Sequence, residues 1–264
     1  MTPNRLRAGA CAWLLTLQFF VVEAVVAARA PSGYSRTANT ISDLGRTTSP
    51  DHRLMNASFL LQAVLIVAGA ALLRHALRGR AARVAPPLLG LAAAGVLIVG
   101  VFPSDGYKVV HATGAVLYLA AGGIGLIALA YGVRPRSELL GSTLALLGLV
   151  GTAMTVFFVS AVTQLLGVGG TERAAAYMLP LGLAVTGAAL WRMGAGEAGA
   201  AETDGPSLRE LRKLARDQER ARQAEQQRQR DEALADRAAG TTPPGEGDDG
   251  IDDDPWATPG RRRD

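Results

Sequence analysis

Six apolar segments rich in Ala, Gly and Leu run between Ala8 and Met193. Each is long enough to cross a bilayer, whose hydrocarbon core needs about 20 apolar residues as helix. The candidate spans are 8–28, 54–77, 84–102, 111–132, 139–162 and 174–193. In lipid every backbone N–H and C=O must find a partner within its own segment or in a closed barrel. Barrel strands alternate polar and apolar residues, and these runs do not. The pattern therefore predicts an all-α, polytopic bundle of six transmembrane helices, and the one or two soluble domains that 264 residues would otherwise suggest are set aside.

Charge divides the chain in two. Residues 1–193 carry 15 Lys and Arg against 6 Asp and Glu, whereas residues 194–264 carry 12 against 17. The basic total reflects arginines at helix ends, the pattern that sets membrane orientation, and gives no reason to expect a nucleic-acid partner. An N-terminus on the cytoplasmic side puts Arg5, Arg7, Arg74, Arg78, Arg80, Arg83, Arg134, Arg136 and Arg192 inside. Arg29, Arg36, Arg46, Arg53, Lys108 and Arg173 then fall outside. The reading is a multi-pass protein of the cell's inner membrane with both termini cytoplasmic. A cleaved signal peptide competes with the first span, since Arg5 and Arg7 precede it and Ala28-Arg29-Ala30 resembles a cleavage site. The apolar run is longer than the roughly 7–15 residues of such a segment and contains Glu23, which favours an uncleaved helix. The sole cysteine, Cys11, excludes an internal disulfide and a cysteine metal cluster.

Most connections are short; residues 29–53 are the exception. A loop of that length carries structure or function of its own. Ser35 is placed to cap a short helix that Gly45 ends, with Ser35, Asn39, Ser42 and Asp43 on one face and Ala38, Ile41 and Leu44 on the other. Pro103-Ser104-Asp105-Gly106 reads as a tight turn six residues ahead of His111. Pro180 should free the carbonyl of Ala176 and kink the last span. Beyond Arg192 the expectation is a linker over 194–206, a charged helix over 207–239 and a disordered acidic tail over 240–264.

Five of the six acids before residue 194, Glu23, Asp43, Asp51, Asp105 and Glu172, fall at the face opposite the N-terminus; Glu138 does not. Glu23 lies within the first span, where an ionisable group is costly and marks function by default. Asp43, Asp105 and His111 with Glu23 could converge on a polar pocket able to hold a divalent cation, activate water or bind a small polar ligand. The same residues could instead pin loops: Asp43 capping amides, Asp105 fixing the turn, His111 bonded at a helix start. No H-E-x-x-H, G-x-S-x-G or P-loop pattern occurs, and no cofactor is required.

Gly33-Tyr34-Ser35 through Ile41-Ser42-Asp43-Leu44-Gly45, then Asn56, then Gly100-Val101-Phe102-Pro103-x-Asp105 and His111, resembles the bacterial and archaeal domain-of-unknown-function family numbered 998, over residues 9–192. The resemblance implies six transmembrane helices and no established activity. Its motif positions, Tyr34, Ser35, Ser42, Asp43, Gly45, Asn56, Pro103, Asp105 and His111, complete a candidate ligand-binding set of Asp43, Asp105, His111, Ser42, Tyr34, Asn39, Glu23 and Asn56. Three functional expectations follow. The first is an integral membrane protein binding a small polar ligand, lipid headgroup or cation in that pocket. The second is a metal-assisted hydrolase using Asp43, Asp105 and His111. The third is an anchor presenting residues 207–239 to a cytoplasmic protein.

Overall fold

The computed structural model describes residues 2–77, 79–202 and 208–239. Those residues are helical apart from their connections, with no strand among them. Six helical runs are long and apolar enough to cross a membrane: Pro3–Ala28, His52–Ala76, Ala81–Val101, Lys108–Val133, Glu138–Val159 and Gly167–Met193. The first is built from α1 (Pro3–Leu14), a 3-10 turn and α2 (Gln18–Ala28). A four-residue helix, α3 (Ile41–Leu44), follows in the long loop. Spans two to five are α4 (His52–Leu73) with a closing 3-10 turn, α5 (Ala81–Val101), α6 (Lys108–Val133) and α7 (Glu138–Val159). The sixth is α8 (Gly167–Ala176) followed by α9 (Met178–Glu202).

Each span packs on the next, and α9 returns to α1, which closes the ring. In lipid such contacts depend on close packing rather than on a hydrophobic drive, so small residues sit at the crossings. A Cβ at Gly95 of α5 would lie 2.4 Å from the backbone nitrogen of Tyr118 on α6. Gly69 of α4 admits the Trp13 ring, which buries fully and donates its indole N–H to the Ile66 carbonyl at 3.3 Å. The connection between α4 and α5 and connection 134–137 lie with the N-terminus, and connections 29–51, 102–107 and 160–166 lie at the opposite, distal face.

Two local departures from the sequence pattern matter for the site. The last span begins at Gly167, seven residues earlier than its hydropathy suggests, because Glu172 and Arg173 are buried with partners rather than solvated. The short loop helix starts at Thr40, not Ser35. Thr40 accepts from the Asp43 amide while Asp43 accepts from the Thr40 amide, a reciprocal capping box. Ser35 is engaged elsewhere, its amide donating to Asn39 Oδ1 at 2.9 Å. Pro180 acts as its chemistry requires. The helix breaks at Tyr177, and the Ala176 carbonyl left without an amide partner accepts the Tyr118 hydroxyl at 3.2 Å.

A second compact unit begins at Asp204 and contains α10 (Leu208–Ala239), whose described side chains are exposed. Helix α9 continues to Glu202, through most of the stretch read as linker. The acidic tail expected over 240–264 lies outside the described residues.

Candidate functional site

The long loop is held over the distal end of the bundle by glycines. Gly167 has φ +72°, and the Gly169 and Gly170 amides donate to the Thr37 carbonyl at 2.8 and 3.3 Å. The Gly169 amide belongs to the first turn of α8, where no carbonyl within the helix can reach it. A Cβ on Gly169 would lie 2.0 Å from the Asn39 carbonyl, so only glycine allows the loop to seat. Ile41 and Leu44 then bury as the apolar edge of α3, and the helix becomes a plug among the spans.

Beneath the plug lies an ion-pair cluster centred on Glu23, which is 0 % exposed. Its Oε1 accepts from Arg173 Nε at 2.8 Å and from Arg36 Nη2 at 3.1 Å, and its Oε2 accepts from the Tyr177 hydroxyl at 2.6 Å. Arg173 also donates to the carbonyls of Arg36, Asn39 and Gly169 and to the Tyr34 hydroxyl. A guanidinium presents five donors in a fixed fork, and here the fork ties the first span, the loop and the sixth span together. Burial is the largest influence on the Tyr34 hydroxyl and raises its pKa above the ordinary value of 10.0.

A second cluster lies on the other side of α3. Ser42 Oγ is 2.9 Å from His111 Nε2 and 3.3 Å from Glu172 Oε1, and His111 Nδ1 is 2.8 Å from the Phe102 carbonyl oxygen. Glu172 also accepts the Ile41 amide. Ser42 and Glu172 lie on the wall of a cavity of about 30 Å³, lined otherwise by Phe19, Ile41, Phe59, Tyr118 and other apolar side chains of five spans. That is room for one water or one hydroxyl.

Of the residues expected from the sequence, Glu23, Tyr34 and the Asn39 carbonyl meet in the first cluster, and Ser42 and His111 in the second. Asp43 is occupied by the Thr40 cap and by Arg46 at 3.4 Å. Asp105 Oδ2 accepts both the amide (2.9 Å) and the hydroxyl of Thr47, which hold its carboxyl below the ordinary value of 3.8. Asn56 donates to the Gly45 carbonyl at 3.0 Å. Asp43, Asp105 and His111 thus take separate partners, and no three His, Cys, Asp or Glu are grouped to hold a metal ion among the described residues. Sequence reasoning placed Arg36, Glu172 and Arg173 at this face but outside the candidate site, and passed over Tyr177. The signal for Arg173 was Glu23 itself, because a carboxylate inside a span demands a cation at the same depth.

These features define a multi-pass integral membrane protein with a short loop helix seated at one end of the bundle. The chain belongs to the family described as "Protein of unknown function (DUF998)", which matches residues 14–189. No curated protein and no solved structure matches it.

Proposed function

We propose that the distal chamber binds a small hydroxylated or ammonium-bearing group, free or as the head of a lipid, in the cavity beneath α3. The observation that carries this reading is the cavity wall: apolar apart from Ser42, Glu172 and Tyr118, whose hydroxyl is taken by the Ala176 carbonyl, with Glu172 its one acidic residue among those described. A carboxylate and a hydroxyl in such a wall favour a hydrogen-bond donor over an anion. The chamber as it stands takes only the tip of such a group, and the rest of a larger occupant stays outside it. Asp43, Asp105, Asn39 and Asn56 serve this reading as loop anchors, and Glu23 and Tyr34 brace the chamber. We place the protein in the inner membrane with both termini cytoplasmic, so that the chamber opens outward.

The test uses the detergent-purified full chain with glycerol, ethanolamine, 1-octanoylglycerol and octanoate. At roughly ten times its Kd a ligand should raise the melting temperature by about 3–5 °C. Stabilisation by glycerol or ethanolamine alone identifies a free ligand, and stabilisation by octanoylglycerol alone identifies a lipid head. Octanoate should do nothing. Ala115→Leu, which fills the cavity, should hold or raise the unliganded melting temperature and abolish the ligand response. A response that survives Ala115→Leu removes the cavity from the explanation.

A further inference from the structure

We infer that Ser42 and His111 are a nucleophile and its general base, and that they cleave a carboxylic ester of the hydroxylated amphiphile the chamber takes. This rests on the binding reading above. A backbone carbonyl can only accept, so the 2.8 Å contact with the Phe102 oxygen puts a proton on His111 Nδ1. In the neutral imidazole the lone pair is then on Nε2, which faces the Ser42 hydroxyl at 2.9 Å. A hydroxyl within reach of a base that a third group orients is the arrangement that activates serine. The Ser42 hydroxyl has a second acceptor in Glu172 at 3.3 Å, the longer of its two contacts.

The serine is fixed from several sides. The Thr40–Asp43 capping box shapes α3, the Ile41 amide is bound to Glu172, and Ile41 and Leu44 are buried. Ser42 lies on the cavity wall, whereas His111, 6 % exposed, lies behind it. A strap that merely held the loop down would need one contact to the ring. Here both nitrogens are committed, and the Nε2 lone pair points at Ser42, which also lines the cavity.

The chemistry balances without a cofactor. Ser42 Oγ forms a bond to the ester carbonyl carbon as its proton passes to His111 Nε2. The carbon–alkoxy bond then breaks, and the leaving oxygen takes that proton, which releases the alcohol. Water repeats the sequence: its proton goes to Nε2, its oxygen bonds to the acyl carbon, and Ser42 Oγ leaves and recovers the proton. The sum is ester plus water to acid plus alcohol. Glu172 accepts from the head's hydroxyl and acts as a positioning residue.

The experiment treats the full chain in detergent with an alkyl fluorophosphonate and maps the adduct by peptide mass spectrometry, with hydrolysis of 4-nitrophenyl butyrate followed in parallel. The expected adduct is on Ser42, and hydrolysis is lost in Ser42→Ala. His111→Gln keeps a donor and an acceptor for Phe102 and Ser42, so it should melt within a few degrees of wild type. It should nevertheless label at least about 100-fold more slowly, the contribution typical of a general base. No adduct on Ser42, or an unchanged labelling rate in folded His111→Gln, overturns the inference. If His111→Gln does not fold, the wild-type adduct and the Ser42→Ala rate decide the matter. Stabilisation by octanoylglycerol without a Ser42 adduct sinks the chemistry and leaves the binding site standing; loss of both sinks both.

Discussion

Glu23 sits at the end of a span with no exposed surface. Its two cations are not equivalent. Arg173 is nearly buried, whereas the Arg36 side chain is 52 % exposed. Removing one member of a buried pair typically costs about 3–5 kcal/mol because the other is left uncompensated, while exposed pairs contribute about 0–1 kcal/mol. Glu23→Gln should therefore lower the stability of the purified protein by about 3–5 kcal/mol, and Arg36→Gln by no more than about 1 kcal/mol. Equal losses in thermal melts would mean that Arg36, not Arg173, is the partner that counts. Asp105 gives a prediction in pH. Its folded pKa lies below the ordinary 3.8, so the Thr47 anchor adds stability at pH values above the ordinary pKa. That stability is lost as pH falls through the depressed value. Asp105→Asn should melt lower than wild type at neutral pH and converge with it in acid. A gap that persists at pH 2 would assign the loss to something other than the carboxylate.

At the scale of elements the loop and the start of the sixth span are one device. Gly169→Ala places a methyl where the Asn39 carbonyl sits, so it should unseat α3 without touching the hydrophobic spans. Thr40→Ala removes one half of the capping box and should cost about 1 kcal/mol. Both variants should speed amide exchange across residues 36–45 and leave exchange in α5 and α6 unchanged; uniform acceleration would argue against a separately seated plug. The same elements mark how much was legible beforehand. All six spans were readable because the bilayer imposes a length and forbids internal polarity. The Thr40–Asp43 box was readable in principle, being a Thr-x-x-Asp pattern, but Ser35 offered a competing cap and only the engagement of its amide by Asn39 settles the choice. The partners of His111 were not readable, because Ser42 lies 69 positions away and Phe102 contributes only a carbonyl. Nor was the Glu23–Arg173 pair, which spans 150 positions and becomes necessary only once the ring of helices closes.

At the scale of the molecule the two ends differ in how they carry charge. By sequence order, residues 1–193 put nine arginines and a single carboxylate, Glu138, on the side of the N-terminus and six cations and five carboxylates on the distal side. Insertion precedes folding and responds to Lys and Arg rather than to net charge, so nine against six is the term behind the orientation proposed above. The distal acids answer a different need: four of the six distal cations, Arg29, Arg36, Arg46 and Arg173, end within 4 Å of a carboxylate. That pairing lets a loop rich in arginine fold down over an apolar chamber. The orientation is measurable in a Cys11→Ser background, since Cys11 is the only cysteine. Thr48→Cys, in the exposed part of the long loop, should react with a membrane-impermeant maleimide on intact cells. Glu138→Cys, at an exposed position on the opposite face, should react only after lysis. The reverse pattern would put the chamber and its Ser42–His111 pair on the cytoplasmic side, where any ester reaching them would have to come from the inner leaflet.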